Sequence, residues 1–110
     1  MMKTVISADT HWCRIYMSGP IDIAKHVIRA ECMKEGLCVT IDPTTFLYTG
    51  GEEQGFVVGL LNYPRFPATA NAIDERARKL AETLLDELHQ HSTLVTSPLG
   101  TTWITKRAQT

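Results

Sequence analysis

Residues 70–89 read ANAIDERARKLAETLLDELH, and their apolar positions recur at the spacing of an α-helix. These positions are Ile73, Ala77, Leu80, Ala81, Leu84, Leu85 and Leu88. Charged residues fill most of the opposite face, and Thr69 or Asn71 can cap the start. The stretch therefore predicts an amphipathic helix that packs on a core together with the segments around it.

A second helix is predicted N-terminal to the first, over Ile21–Glu35. Pro20 suits the first turn of a helix, and Gly36 can adopt the left-handed conformation that ends one. The predicted inner stripe is Ile21, Ala24, Val27, Ile28 and Cys32. Helical spacing of these residues indicates that this helix also buries one face.

The remainder of the chain is rich in β-forming residues and divides into short strands. The predicted strands are 4–8, 12–17, 37–41, 45–48, 55–61, 93–96 and 102–105. The resulting order, ββαβββαββ with local hairpins, predicts an α+β fold. We expect a mainly antiparallel sheet with two helices packed against it, built on a split βαβ core.

Size and composition predict one folded domain spanning residues 1–110. The chain is 44% hydrophobic and 21% charged, which is ordinary globular usage. A domain this small leaves much of its surface exposed, so we expect a homo-oligomer. A formal net charge of -1 disfavours nucleic acid as a partner.

The chain also lacks features of exported or membrane proteins. Its start carries no signal peptide and no apolar run is long enough to span a bilayer, so no membrane association and a cytoplasmic location are expected. The three cysteines show no C-x-x-C spacing, which indicates reduced thiols. His89 and His91 do not share a helix face, and neither a metal nor a cofactor is expected.

The first candidate site is the loop Asn62, Tyr63, Pro64, Arg65, Phe66 and Pro67, which joins a predicted strand to the long helix. Its prolines stiffen a segment that presents one cation and two aromatic rings. Arg65 can bind a phosphate or carboxylate, and Tyr63 or Phe66 can stack on a ring or anchor a protein. The alternative is a plain chain reversal whose aromatic rings cover the core.

Residues 9–14 gather a carboxylate, an imidazole, an indole, a thiol and a guanidinium. His11 and Cys13 can share one face of a strand, yet a buried structural thiol explains Cys13 more simply than catalysis does. Near the end of the chain, Lys106 and Arg107 are interpreted as a charged, frayed tail.

The glycines between Tyr48 and Phe56 predict a hairpin with Glu52, Glu53 and Gln54 at its tip. We interpret the two adjacent glutamates as a solvated turn and not as a catalytic pair.

Residues 14–20, RIYMSGP, form a strand that passes through Ser-Gly-Pro into a helix. This run resembles the opening strand and turn of nucleoside deoxyribosyltransferase-like proteins. The resemblance implies that Ser18 and Gly19 hold a sugar or phosphate at the helix N-terminus.

The whole-chain pattern is similar to small proteins of bacterial prophages and mobile elements. It rests on 48–52, YTGGE, followed by 59–67, GLLNYPRFP. This resemblance implies an accessory role, either blocking a host protein or sequestering a host signalling molecule.

The hypothesis that the sequence favours is a non-catalytic, homo-oligomeric binding protein, such as a phage accessory factor that blocks a host protein. Its binding residues would be Asn62, Tyr63, Arg65 and Phe66, with Tyr48 and Arg14. The alternative is a protein that binds or sequesters a small anionic or nucleotide ligand, or a small enzyme acting on a nucleoside, at Ser18, Gly19 and Arg65. Catalysis is left open, with its absence favoured.

Overall fold

A computed structural model describes residues 2–107 and confirms the α+β fold, with a mainly antiparallel sheet and two helices. The elements are β1 (Trp12–Ser18), α1 (Ile21–Glu35), β2 (Val39–Tyr48), β3 (Gly51–Leu61), α2 (Ala70–Glu87), β4 (Ser92–Ser97) and β5 (Gly100–Thr105). The sheet order is β2-β3-β1-β4-β5, and every neighbouring pair is antiparallel. Two interleaved βαβ units, β1-α1-β2 and β3-α2-β4, give this order.

Both helices bury the faces that the sequence predicts; α1 has the predicted bounds, whereas α2 ends at Glu87, two residues before its predicted end. All seven apolar positions of the α2 stripe are buried. The Thr69 side chain caps α2 by accepting a hydrogen bond from the Ala72 amide at 3.1 Å. Gly36 ends α1 with φ 67°, and its amide donates to the Cys32 carbonyl at 2.9 Å. The core lies between α2, α1 and the central strands, around Ile15 and Phe56.

The predicted strand at residues 4–8 does not form. These residues lie before β1 without regular structure, and Val5 and Ile6 are exposed. A β-rich sequence becomes a strand only when a neighbour supplies hydrogen bonds and packing. The two edges of the sheet are instead occupied by β2 and β5.

The predicted strands 37–41 and 45–48 form one continuous strand, β2, which runs through Pro43. Proline is tolerated there because β2 is an edge strand and its missing N–H costs no bond to a second neighbour. The hairpin turns at Thr49 and Gly50, since Tyr48 pairs with Gly51. Residues 52–54, predicted as the tip, therefore lie inside β3.

One face of the sheet carries no helix. A row of paired residues crosses it from β5 to β2, and its members are Trp103, Leu94, Tyr16, Val57 and Asp42. Leu94 and Trp103 are 36% and 55% exposed. We call this surface the open face.

Neither helix within residues 2–107 is sufficiently long and apolar to cross a bilayer.

Candidate functional site

The candidate site lies on the open face, where β1 ends and the β2–β3 hairpin continues beyond it. Ser18, the last residue of β1, pairs with Gly55 of β3. From there to its turn after Tyr48, the hairpin consists of β2 and β3 only and does not pair with β1. We call residues 44–55 the hairpin arm.

Glu53 is the centre of this site. Its Oε2 atom accepts a hydrogen bond from the Ser18 hydroxyl at 2.6 Å, and its Oε1 atom accepts one from the Tyr48 hydroxyl at 3.1 Å. Three elements thus contribute one side chain each: the end of β1, the end of β2 and the start of β3. The alternation of strand residues places all three side chains on the open face.

The two hydroxyl donors keep Glu53 ionised. The hydrogen bond from Ser18, then that from Tyr48, lowers the pKa of the Glu53 carboxyl, and the positive charge of Arg107 adds to the effect. The same bond raises the pKa of Tyr48, because losing the phenolic proton beside a carboxylate is unfavourable. The site therefore presents a carboxylate and a protonated phenol at neutral pH.

Aromatic rings cover the glycines of β3 around this carboxylate. A Cβ atom added to Gly55 would lie 2.6 Å from Phe46 Cε2, and one added to Gly51 would lie 3.1 Å from Tyr48 Cε2. The Tyr48 ring and one edge of the Phe46 ring consequently lie against the backbone of the arm. An anionic group beside two aromatic rings suits a ligand that combines a positive charge with a flat ring.

The β1–α1 turn is attached to the hairpin arm beside this site. The Gly19 amide donates to the Gln54 carbonyl at 3.1 Å, which ties the turn to the hairpin arm. Lys106 is held at the same end of the sheet, since its amide donates to the His91 carbonyl at 2.8 Å and its Nζ lies 3.0 Å from Asp86 Oδ1. The interpretation of residues 106–107 as a frayed tail is wrong for this reason.

The loop at residues 62–67 lies at the opposite end of the sheet. Trp12, at the start of β1, pairs with Leu61, and six residue steps of strand separate it from Ser18, which is about 20 Å. The predicted binding residues therefore form two separate groups. Ser18, Gly19 and Tyr48 come together, whereas the loop does not approach them.

Within that loop, Asn62 has a structural role. Its Nδ2 donates to the Asp9 carbonyl at 2.8 Å, and its Oδ1 accepts from the Ala68 amide at 3.0 Å. Arg65 stacks over the exposed Phe66 ring at 5.4 Å. The role of Tyr63, Arg65 and Phe66 in binding stays a prediction.

Tyr63 contacts Cys38 at the beginning of the chain segment that leads into β2. The hydrogen bond with the Cys38 side chain raises the pKa of Tyr63. Arg14 lies in the middle of the open face, with its guanidinium 4.7 Å from the centre of the Trp12 ring. A role for Arg14 in binding likewise stays a prediction.

A polar network fixes the start of α2. His11 Nε2 lies 2.7 Å from Asp74 Oδ1, and the Ser97 hydroxyl donates to Asp74 Oδ2 at 2.8 Å. Burial first, and then the Asp74 carboxylate, raises the pKa of Cys13 to about 12. The thiol is therefore protonated and unreactive at neutral pH, in agreement with a structural role.

Sequence reasoning missed Glu53 and Phe46. The sequence indicates a solvated turn at Glu53 because the glycines on either side of it predict the tip of the hairpin there. Pairing Tyr48 with Gly51 instead puts Glu53 opposite Phe46 and on the same face as Tyr48. The signal that could have found this register is Thr49-Gly50, a two-residue turn sequence in which glycine supplies the positive φ of 89°.

The sequence matches no protein-family model and no curated protein. Two solved structures resemble the fold. One is a phage SAM lyase in the apo state, with a TM-score of 0.66, 16% identity, and coverage of 91% of this chain and 92% of that chain. The other is a phage SAM lyase in complex with S-methyl-5'-thioadenosine, with a TM-score of 0.70, 12% identity and full coverage of both chains. At these identities the likeness is one of fold.

These matches correct the interpretation of the chain as a non-catalytic protein that blocks a host protein. That interpretation is wrong, because both matching structures are of lyases and one holds a small nucleoside. They favour the alternative, a nucleotide-binding protein or a small enzyme acting on a nucleoside. Both are phage proteins, which supports the expectation of a phage-related protein. The resemblance to nucleoside deoxyribosyltransferases finds no support among the matches.

Proposed function

We propose that this protein binds S-adenosylmethionine (SAM) and cleaves it to S-methyl-5'-thioadenosine. The observation that carries the proposal is the full-length fold match to a SAM lyase bound to that nucleoside. The ionised Glu53 carboxylate, held by Ser18 and Tyr48 beside two aromatic rings, supports it from this chain's own residues.

The chemistry of the substrate suits this site. SAM carries a sulfonium and an α-ammonium group, and both are cations that a carboxylate attracts. In the proposed site Glu53 binds the cationic part of SAM, and Phe46 or Tyr48 packs against the nucleoside ring. The hydroxyls of Ser18 and Tyr48 orient the carboxylate and keep its charge in place.

Release of the thioadenosine requires cleavage of the bond between sulfur and the γ-carbon of the methionyl group. The electron pair of that bond stays on sulfur, which becomes a neutral thioether. The substrate's own carboxylate supplies the new bond to the γ-carbon and closes a five-membered lactone. No oxidant, water or cofactor is consumed, so the step needs only that the site hold the methionyl chain in a bent conformation.

The test is to incubate the protein with SAM and measure S-methyl-5'-thioadenosine by liquid chromatography. We expect turnover by the wild type and a loss of about 10- to 100-fold in kcat/KM for Glu53→Gln, because a charged contact is removed. Glu52→Gln is the matched control, since Glu52 is also exposed on the arm but points to the other face. Absence of thioadenosine from the wild-type reaction would overturn the proposal.

The lactone route has its own test in water enriched in oxygen-18. Ring closure by the substrate carboxylate leaves the γ-oxygen of any homoserine unlabelled, whereas attack by water on the γ-carbon labels it. Mass spectrometry of early time points distinguishes the two, and a labelled γ-hydroxyl contradicts the intramolecular route.

A further inference from the structure

The outer edge of β5 carries backbone groups that are free to pair. Along an antiparallel strand these groups turn alternately toward and away from the neighbouring strand. The Lys106 amide donates to the His91 carbonyl at 2.8 Å, and this bond fixes the alternation. Thr101, Trp103 and Thr105 therefore turn their N–H and C=O groups away from β4, and these groups make no backbone hydrogen bond within residues 2–107.

The two edges of the sheet differ in how they are protected. β2 contains Pro43, which has no N–H to donate to an added strand. Proline and charged side chains are common means by which an edge strand avoids pairing with another chain. β5 contains neither, so it can accept a further strand.

Residues 4–8, TVISA, have the composition of a strand and no partner. Val5 and Ile6 are β-branched, and their side chains are 89% and 59% exposed. The segment has no regular structure because no strand lies beside it. It lacks an edge to pair with, whereas β5 has an edge and lacks a strand.

This segment cannot reach β5 of its own chain. Asn62, which follows β3, holds the residues before β1, because its side chain donates to the Asp9 carbonyl at 2.8 Å and its amide donates to the His11 carbonyl at 3.0 Å. A strand added outside β5 would lie three strand spacings from β1, about 14 Å. Ala8 is only one step of about 3.8 Å from Asp9. The added strand must therefore come from another molecule.

We propose that residues 4–8 of a second copy of this chain add to the edge of β5 as a sixth, antiparallel strand. The side chains select one register, with Ile6 opposite Trp103 on the open face. Val5 then lies opposite Ile104, which packs against the core. Cross-strand pairs of aromatic and β-branched side chains are favourable. A shift of two residues in either direction would place Ile6 opposite a threonine instead.

The helix side of β5 has room for the added strand. A cavity of about 650 Å³ lies between α2 and the β4–β5 hairpin, and Thr102 is on its wall. Ser7, which is opposite Thr102 in this register, fits there as one small polar side chain beside another. The inference does not depend on the proposed function, since none of these residues belongs to the candidate site.

Amide hydrogen exchange, followed residue by residue by NMR on the full chain, tests the pairing. In the proposed register the Trp103 amide donates to the Ile6 carbonyl, and the Ile6 amide donates to Trp103. Ile6→Pro removes that donor from the strand, so the Trp103 amide should exchange at least about tenfold faster than in the wild type. Ser7→Pro is the matched control, because the Ser7 N–H faces solvent; its exchange rate should stay within about twofold of the wild type.

Three results would overturn the inference. The first is equal exchange at Trp103 in the wild type and in Ile6→Pro. The second is a loss of protection in Ser7→Pro as large as that in Ile6→Pro, which contradicts the register. The third is a protected Trp103 amide in a wild type whose mass by light scattering, at the same concentration, is 12.3 kDa, because the strand would then belong to the same chain.

Discussion

Two carboxylates in this protein have different surroundings and therefore different roles. Glu53 is exposed and accepts hydrogen bonds from two hydroxyls. Asp74 is mostly covered and joins His11 of the N-terminal segment to Ser97 at the end of β4. In the proposed function the first binds the substrate, whereas the second holds three parts of the fold together.

The role of Asp74 predicts a stability effect. Asp74→Ala leaves the buried His11 ring without its acceptor, and we expect a loss of about 1–3 kcal/mol in the free energy of unfolding. Asp74→Asn, which keeps an acceptor oxygen, should lose less. Urea denaturation followed by circular dichroism measures both. The neighbouring Glu75→Ala is the control, and equal stability of the Asp74 and Glu75 alanine variants would contradict this role.

The β2–β3 hairpin is the element that builds the candidate site. Beyond Ser18 it has no strand on its β1 side, so its shape depends on its own pairing and on the glycines that let the Phe46 and Tyr48 rings approach its backbone. Gly55 sits where the hairpin passes the end of β1, and a side chain there would meet the Met17 carbonyl as well as Phe46.

We therefore expect Gly55→Ala to destabilise the protein by about 1–3 kcal/mol, because backbone at Met17 cannot move aside cheaply. For a domain near this size each kcal/mol lowers Tm by roughly 4–8 °C. Gly59→Ala is the matched control on the same strand, where the added methyl group meets the movable Thr40 side chain. Differential scanning calorimetry compares them, and a larger Tm loss for Gly59→Ala would refute the explanation.

At the scale of the whole molecule, the open face is the feature that the fold leaves unexplained. Both helices cover the other face, and the row from Trp103 to Val57 exposes apolar side chains to solvent. Exposed apolar surface of this kind is typical of an interface. Self-association, which the size of the chain predicts, stays a prediction. We expect the open face to form the contact between copies.

We expect the wild type to run in size-exclusion chromatography with light scattering at a multiple of its 12.3 kDa mass. Leu94→Asp places a charge in the row and should shift the protein toward 12.3 kDa. Leu99→Asp is the control, because Leu99 is exposed in the β4–β5 turn and lies off the row. A monomeric wild type would rule out the interface.

The sequence alone determined the parts of the structure that depend on near neighbours along the chain. Helical spacing, the Thr69 cap and Gly36 predicted both helices correctly, because helix signals act within a few residues. The alternation of short β-rich segments with these helices was enough to predict the α+β class correctly. The same local reasoning failed at residues 4–8 and at Pro43, where the outcome depends on which strand lies alongside.

The candidate site was decided by the tertiary structure. Ser18 lies 30 residues or more from Tyr48 and Glu53 in sequence, and the three meet only after β3 pairs between β1 and β2. A shift of one residue in strand register moves a side chain to the other face of the sheet, so a misplaced turn was sufficient to hide Glu53. Register is set by pairing and packing across the whole sheet, which no short stretch of sequence contains.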